Sequence, residues 1–112
     1  MAEEWDFELQ RVQTAHSVAE LNRETGIAEG MAITLELQFL PSERSNDESF
    51  ARALKMFGYA EPSEEDDGVY VSVPDVAFGL DSIWLHEERV SKIALNHGYM
   101  PEGWGFWEPE EE

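Results

Sequence analysis

The chain has 112 residues and no cysteine, and its 25 acidic and 7 basic side chains give it a formal charge of −18. A chain of this length forms one domain with a hydrophobic core of its own. The lack of cysteine excludes disulfides, thiolate nucleophiles and cysteine metal ligands. The negative charge opposes binding to nucleic-acid phosphates and anionic membranes, and it favours association with basic proteins.

The sequence gives no signal for export or membrane insertion. The acidic start, MAEEWDFE, has no basic segment ahead of an apolar one, so we expect no signal peptide. The apolar runs are a few residues long, far short of the roughly 20 residues of a membrane-spanning helix.

The first predicted element is a helix from Glu3 to about Thr25. Apolar and small residues recur there three or four positions apart, which predicts a buried stripe made of Trp5, Leu9, Val12, His16 and Ala19. Gly26 fits the left-handed residue that ends a helix. We divide the chain into an N-terminal helix and link over residues 1–29, a domain over 30–108 and an acidic tail over 109–112.

The clearest predicted strand runs from Met31 to Leu40, where apolar residues alternate with mostly polar ones, and Pro41 ends it. One-sided alternation predicts an antiparallel or mixed sheet with helices on a single face. A second helix follows. One of Ser45, Asn46 and Asp47 caps it, the side chains of Phe50, Ala53, Leu54 and Phe57 are buried, and Gly58 ends it.

Three further strands and a third helix are predicted after Gly58. A short strand covers Tyr59 to about Glu64, and a turn at residues 66–68 leads to a strand from Val69 that Pro74 limits. The third helix spans Leu80 to His97, and the last strand spans Gly103 to Glu108. The third helix is expected to bury a stripe made of Ile83, Val90, Ile93 and Ala94.

The order of these elements predicts the fold class. An α+β domain with a ferredoxin-like split βαβ arrangement follows from strand–helix–strand–strand–helix–strand, with an extra N-terminal helix ahead of it. Right-handed crossovers place both helices on one face of a four-stranded sheet with strand order 4-1-3-2. The two best-patterned strands are then central, and the last strand lies at an edge.

The aromatic segment GYMPEGWGFWE precedes the acidic tail. In a strand, Trp104 and Phe106 point to one face while Gly103, Gly105 and Trp107 point to the other. We expect Trp104 and Phe106 to fill the core beneath the helices. Gly105 would leave the open face without a side chain, so that another aromatic residue or a partner can approach closely, and the acidic tail would discourage pairing at the sheet edge.

Three segments resemble the ribonuclease E inhibitor B (RraB-like) family. They are MAITLELQFL, FARALKMFGYA and LNHGYMPEGWGFWE, and the resemblance covers roughly Gly30 to Glu108. Tyr99, Gly103, Trp104 and Gly105 stand where the family has a Tyr-Asp-Gly-Trp-Gly-like segment, with Met100, Pro101 and Glu102 between them. The resemblance implies a ferredoxin-like, acidic, cytoplasmic protein that dampens a ribonuclease E-type endonuclease by protein–protein contact.

The sequence contains no pattern typical of a catalytic or cofactor site. No glycine-rich phosphate loop or serine nucleophile motif is present, so we expect no catalytic residue and no cofactor. His86 and His97 lie about 16 Å apart along one predicted helix and cannot share a metal. The acidic run from Glu61 to Asp67 lacks calcium-loop spacing, so no metal site is expected.

The candidate partner-binding residues are the acidic turn and two aromatic side chains: Glu64, Glu65, Asp66, Asp67, Tyr70 and Trp107. Their expected partner is a protein with a basic surface, with a nuclease as the candidate that the resemblance implies; direct nucleic-acid binding and membrane binding are not expected. The usual meaning of such an acidic run is a solvated turn. Two other functions stay open: a small ligand-binding or enzymatic domain with a pocket between Trp84, His86 and the first helix, and a structural or self-associating domain.

Overall fold

A computed structural model of the chain describes residues 5–65 and 68–107, which form three helices and one four-stranded sheet. The elements are α1 (Phe7–Thr25), β1 (Ala32–Pro41), α2 (Asp47–Met56), β2 (Ser63–Glu65), β3 (Gly68–Ala77), α3 (Leu80–Asn96) and β4 (Tyr99–Trp107). The protein is thus of the α+β class. Among the described helices, none combines the length and the apolar character needed to cross a membrane.

The sheet is open and its strands pair antiparallel in the order β2-β3-β1-β4, which is 4-1-3-2 when read from the β4 edge. The two strands with the strongest alternation, β1 and β3, are central. Leu35 faces Val73 and Leu37 faces Val71 across this pair, and all four side chains are buried. The alternation fixes this register, because a shift by one residue would turn the apolar set to the other face.

Bulges extend two strands beyond their predicted limits. β3 continues through Pro74, because Pro74 and Asp75 together oppose Thr34, and Asp75 takes a positive φ of 60°. β4 begins at Tyr99 and not at Gly103, because Pro101 already pairs with Phe39 and Glu102 is the extra residue of the second bulge. The predictions that Pro74 ends its strand and that the last strand starts at Gly103 are therefore wrong.

The core lies between the sheet and the helices α2 and α3. Phe50 of α2 stacks on Tyr99 at 4.5 Å between ring centroids and meets Phe39 edge-on at 6.2 Å. From α3, the predicted stripe is confirmed by the burial of Ile83, Val90, Ile93 and Ala94. Asn46 caps α2, since its side chain accepts a hydrogen bond from the backbone N–H of Ser49.

The short strand between α2 and β3 is displaced from its predicted position. β2 comprises Ser63–Glu65, whereas Tyr59 is buried outside it. The hydroxyl of Tyr59 hydrogen-bonds Nδ1 of His86 on α3 at 2.9 Å. Tyr59 therefore serves the packing between the end of α2 and α3, and it takes no part in the sheet.

Helix α1 is rotated relative to its predicted orientation. Leu9 is 53% and Val12 is 61% exposed. The other predicted stripe members within the helix, His16 and Ala19, are also exposed, while Gln10, Thr14 and Val18 are buried. The predicted stripe of α1 is therefore wrong. The predicted end is confirmed, because Gly26 caps the helix in the left-handed conformation.

Candidate functional site

The acidic turn does not form one continuous surface in the part of the chain that the structure describes. Glu64 and Glu65 are both exposed in β2, where Glu64 pairs with Val69 and Glu65 with Gly68. Because Val69 is a core residue, Glu64 lies on the helix side of the sheet and Glu65 on the open side. Asp66 and Asp67 lie outside the described residues.

Glu64 belongs to a small network with Asp47 and Tyr99 at one end of the sheet. The Tyr99 hydroxyl donates a hydrogen bond to Oδ1 of Asp47. This hydrogen bond is the main cause of the lowered pKa of Asp47, and a hydrogen bond with Glu64 is the second. The hydrogen bond with Asp47 and the charge of Asp47 raise the pKa of Glu64. Burial and the same Asp47 contact raise the pKa of Tyr99 to about 12. Tyr99 thus anchors the start of α2 to the start of β4.

The open face of the sheet is polar, with small residues at its β4 side. Across the β1–β4 pair, Thr34 faces Trp107, Glu36 faces Gly105 and Gln38 faces Gly103. A Cβ atom placed on either glycine would meet no atom within 4 Å, so the space beside Glu36 is open. The predicted residues Glu65, Tyr70 and Trp107 share this face, because Tyr70 is paired with Gln38.

The two tryptophans of β4 have different environments. Trp104 pairs with Leu37 and packs half-buried against the core, as Phe106 does beside Phe78 at 5.7 Å between ring centroids. Trp107 is 62% exposed. The predicted facing of Trp104 and Phe106 is confirmed, although neither ring is fully enclosed.

A pocket lies between α1, α3 and β4, on the helix side of the sheet. We call it the Glu87 pocket. It has a volume of about 360 Å³ and is lined by Trp5, Gln10, Gln13, Thr14, Ser17, Glu87, Pro101, Glu102, Gly103 and Trp104. Polar side chains from α1 and α3 meet at its base, and indole rings from two separate parts of the chain contribute to its lining.

Glu87 is the buried acid of this pocket, with 4% of its surface exposed. Its Oε1 accepts a hydrogen bond from Thr14 Oγ1 at 2.6 Å, and its Oε2 accepts one from Gln10 Nε2 at 2.9 Å. Burial raises the pKa of Glu87, and the two hydrogen bonds oppose that change. The Gln10 side chain is fixed in turn by Trp5, whose Nε1 donates to Gln10 Oε1 at 2.7 Å.

The pocket is displaced from the position that the sequence suggested. Trp84 and His86 do not line it. His86 is held by Tyr59, and burial followed by the charge of Arg89 lowers its pKa. His97 caps α3 through its backbone, while its ring Nδ1 lies 2.8 Å from Ser49 Oγ. Glu87 was not identified from the sequence as a candidate site residue. Its spacing, four residues after Ile83 and three before Val90, places it on the buried face of α3 and was the available signal.

No protein-family model matches the chain, and no curated protein matches it significantly. The four signature residues of the resemblance lie in one strand, since Tyr99, Gly103, Trp104 and Gly105 all belong to β4. Within the described residues there is no group of three or more histidine or acidic side chains that could hold a metal ion. Two features of the described residues, the open face of the sheet and the Glu87 pocket, combine acidic and aromatic side chains.

Proposed function

We propose that this protein is an acidic regulatory module that binds a basic surface of another protein through the open face of its sheet. One observation carries the proposal. The described strands contain no lysine, arginine or histidine, and two of their acids, Glu36 and Glu65, lie on the open face. The lysines and arginines lie on the three helices, apart from Arg44 in the β1–α2 loop.

The chemistry of the open face fits an arginine-bearing partner. Glu36 stands in a central strand beside the two glycines of β4, so a partner's side chain can approach its carboxylate without displacing a neighbour. The exposed indole of Trp107 offers a flat surface on which a guanidinium group stacks. Tyr70 and Glu65 extend the same face toward β2.

The finer fold assignment and the resemblance suggest the identity of the partner. The βαββαβ order and the antiparallel 4-1-3-2 sheet support a ferredoxin-like split βαβ domain, to which α1 is an addition. The three segments similar to the RraB-like family support a cytoplasmic, non-enzymatic modulator of a ribonuclease E-type endonuclease. The proposed action is contact with a basic surface of that enzyme.

The experiment measures binding of the purified ribonuclease E catalytic domain and its cleavage of a fluorogenic RNA. We expect the protein to bind and to slow cleavage. Glu36→Arg should weaken binding about tenfold or more, because it replaces attraction by repulsion at the centre of the face. Glu8→Arg makes the same charge change at an exposed position of α1 and is the matched control.

Two outcomes would contradict the proposal at different levels. Equal losses from Glu36→Arg and Glu8→Arg would show that only the overall charge matters and that the sheet face is not the contact. Absence of any binding by the wild-type protein would remove the ribonuclease as the partner. A photo-crosslinking residue at Trp107, compared with one at exposed Met56 on α2, then tests whether the sheet face contacts any protein in the cell.

A further inference from the structure

Glu87 is a buried carboxylate without a charged partner. Among the described residues, Lys92 forms an ion pair with Glu88, and His16 Nε2 lies 3.3 Å from Glu20 Oε2. Lys92, which lies five residues after Glu87 on α3, also places its Nζ 5.5 Å from the centre of the Phe7 ring. A buried carboxylate that has only neutral donors is incompletely compensated, so a cation at this position would be favoured.

The hydrogen bonds made by Glu87 leave acceptor positions on its carboxylate for a ligand. Gln10 Nε2 is shared between Glu87 Oε2 and Ser91 Oγ, and the Thr14 hydroxyl is directed at Glu87 Oε1. A carboxylate accepts about four hydrogen bonds, and two are accounted for. A ligand that reaches Glu87 from the pocket must therefore bring hydrogen-bond donors.

The walls and the rim of the pocket favour the same ligand. Trp5 and Trp104 contribute indole rings, and Glu102 adds a second, exposed carboxylate, while none of the described residues that line the pocket is basic. Indole rings attract cations over their faces. The volume of about 360 Å³ lies in the lower part of the range for small-molecule sites, about 300–1,000 Å³.

We infer that the Glu87 pocket binds a guanidinium group, with Glu87 as the acceptor of its N–H donors and Trp5 and Trp104 as stacking surfaces. A guanidinium fits better than an ammonium because it is planar, pairs with a carboxylate through two parallel hydrogen bonds and is more weakly hydrated. The group can belong to a small molecule such as agmatine or to an arginine side chain of a protein.

The test titrates the protein with N-acetylarginine amide and with N-acetylcitrulline amide, which has the same shape without the charge. Calorimetry and tryptophan fluorescence report binding. We expect the arginine compound to bind with a dissociation constant below about 10 mM and the citrulline compound to bind at least about tenfold more weakly. Equal binding of the two compounds, or no binding of either, would overturn the inference.

A titration with agmatine distinguishes the two sources of the guanidinium group. Tighter binding of agmatine than of the arginine amide indicates a free small molecule as the natural ligand, and equal or weaker binding indicates an arginine side chain.

Variants place the binding in this pocket. Glu87→Gln should weaken arginine-amide binding about tenfold, while Glu8→Gln, outside the pocket, should leave it unchanged. Trp5→Leu should weaken it several-fold, and this variant decides the matter if Glu87→Gln proves unstable, because Trp5 precedes the first helix and is only half-buried. Unchanged affinity in the folded Glu87 variant, or in Trp5→Leu, would contradict the site. The pocket is on the helix side of the sheet, so Glu36→Arg should not affect this binding, and failure here leaves the sheet-face proposal standing.

Discussion

At the scale of single residues, Gly98 has the most constrained position of the described glycines. It has a φ of +89°, and an added Cβ would lie 2.5 Å from the backbone of Arg44 and from Cα of Ser45. Its carbonyl accepts hydrogen bonds from both the backbone N–H and the hydroxyl of Ser42. The junction of α3 and β4 therefore rests directly against the loop before α2.

We predict that Gly98→Ala destabilises the fold by about 2 kcal/mol or more, because it combines a positive φ with a backbone clash. Gly105→Ala is the matched control. Its Cβ would enter open space, so its free energy of unfolding should change by less than about 0.5 kcal/mol. Urea denaturation of both variants measures the difference. Similar losses in the two would show that the Arg44 loop moves away from Gly98 freely.

Glu87 gives a second prediction at this scale. Because burial raises its pKa in the folded state, the folded protein holds this proton to higher pH than the unfolded chain does. The contribution of Glu87 to stability is then greatest at pH values below the pKa of Glu87 in the unfolded chain. This contribution falls as pH rises from the unfolded pKa to the folded pKa, and it stays constant above the folded pKa. Stability is thus lost toward neutral pH.

We expect Glu87→Gln to be more stable than the wild type at neutral pH, with the advantage shrinking as pH falls toward 4.5, the ordinary value for glutamate. The amide can keep the network, since it accepts from Gln10 while the Thr14 hydroxyl turns from donor to acceptor. Melting temperatures of both proteins across this range measure the effect. A difference that does not change with pH would show that Glu87 is not the titrating group.

At the scale of elements, β4 joins the core to the open face. Its alternation places Trp104 against the core, where it packs half-buried, and Trp107 on the other side, where it is mostly exposed. We predict that Trp104→Ala costs about 2 kcal/mol, below the roughly 3–5 kcal/mol of an enclosed large aromatic side chain. Trp107→Ala should cost less than about 0.5 kcal/mol. Chemical denaturation of the two variants tests this ranking, and a larger loss for Trp107 would reverse the assignment of faces.

Helix α1 is the element whose orientation depends most on its neighbour. It presents Gln10 and Thr14 to α3 because α3 presents Glu87 and Ser91 in return. We predict that Val12→Gln changes the free energy of unfolding by less than about 0.5 kcal/mol, whereas Val18→Ala costs about 1–2 kcal/mol through lost burial. Thermal melts of both variants provide the check. The opposite order would restore the face that the periodicity predicted.

At the scale of the whole molecule, charge is distributed unevenly. The described strands carry acids without bases, and the ion pairs within the described residues lie inside single helices, between residues four apart. Most of the negative charge is thus available to a partner. The same distribution keeps the basic side chains of the helices away from the open face of the sheet.

We predict that binding of the basic partner weakens as salt is added, mainly through a slower association rate. Attraction between exposed charges is screened over about 8 Å at physiological ionic strength and over about 3 Å at 1 M salt. Stopped-flow or surface-plasmon measurements across this range would show the change. An association rate that is the same at low and high salt would mean that contact shape, and not charge, drives the encounter.

Local patterns in the sequence determined the parts of this protein whose physics is local. Alternation in MAITLELQFL and in VYVSV fixes which side chains of β1 and β3 enter the core, because the two-residue period of a strand leaves no other choice. The spacing of Ile83, Val90 and Ala94 does the same for α3, and the facing of Trp104 and Phe106 follows from β4 being a strand at all.

Only the tertiary structure decided the orientation of α1 and the position of the pocket. The apolar stripe of α1 is outweighed because its neighbour presents a carboxylate, and a buried carboxylate needs hydrogen-bond donors more than it needs apolar contact. β4 likewise begins four residues before the prediction, because Pro101 can pair on one side at an edge and a bulge absorbs Glu102. The residues that hydrogen-bond Glu87 are more than 70 positions away from it in the sequence, as Thr14 is. Tertiary packing brings them together, and the local periodicity of the sequence does not predict such a contact.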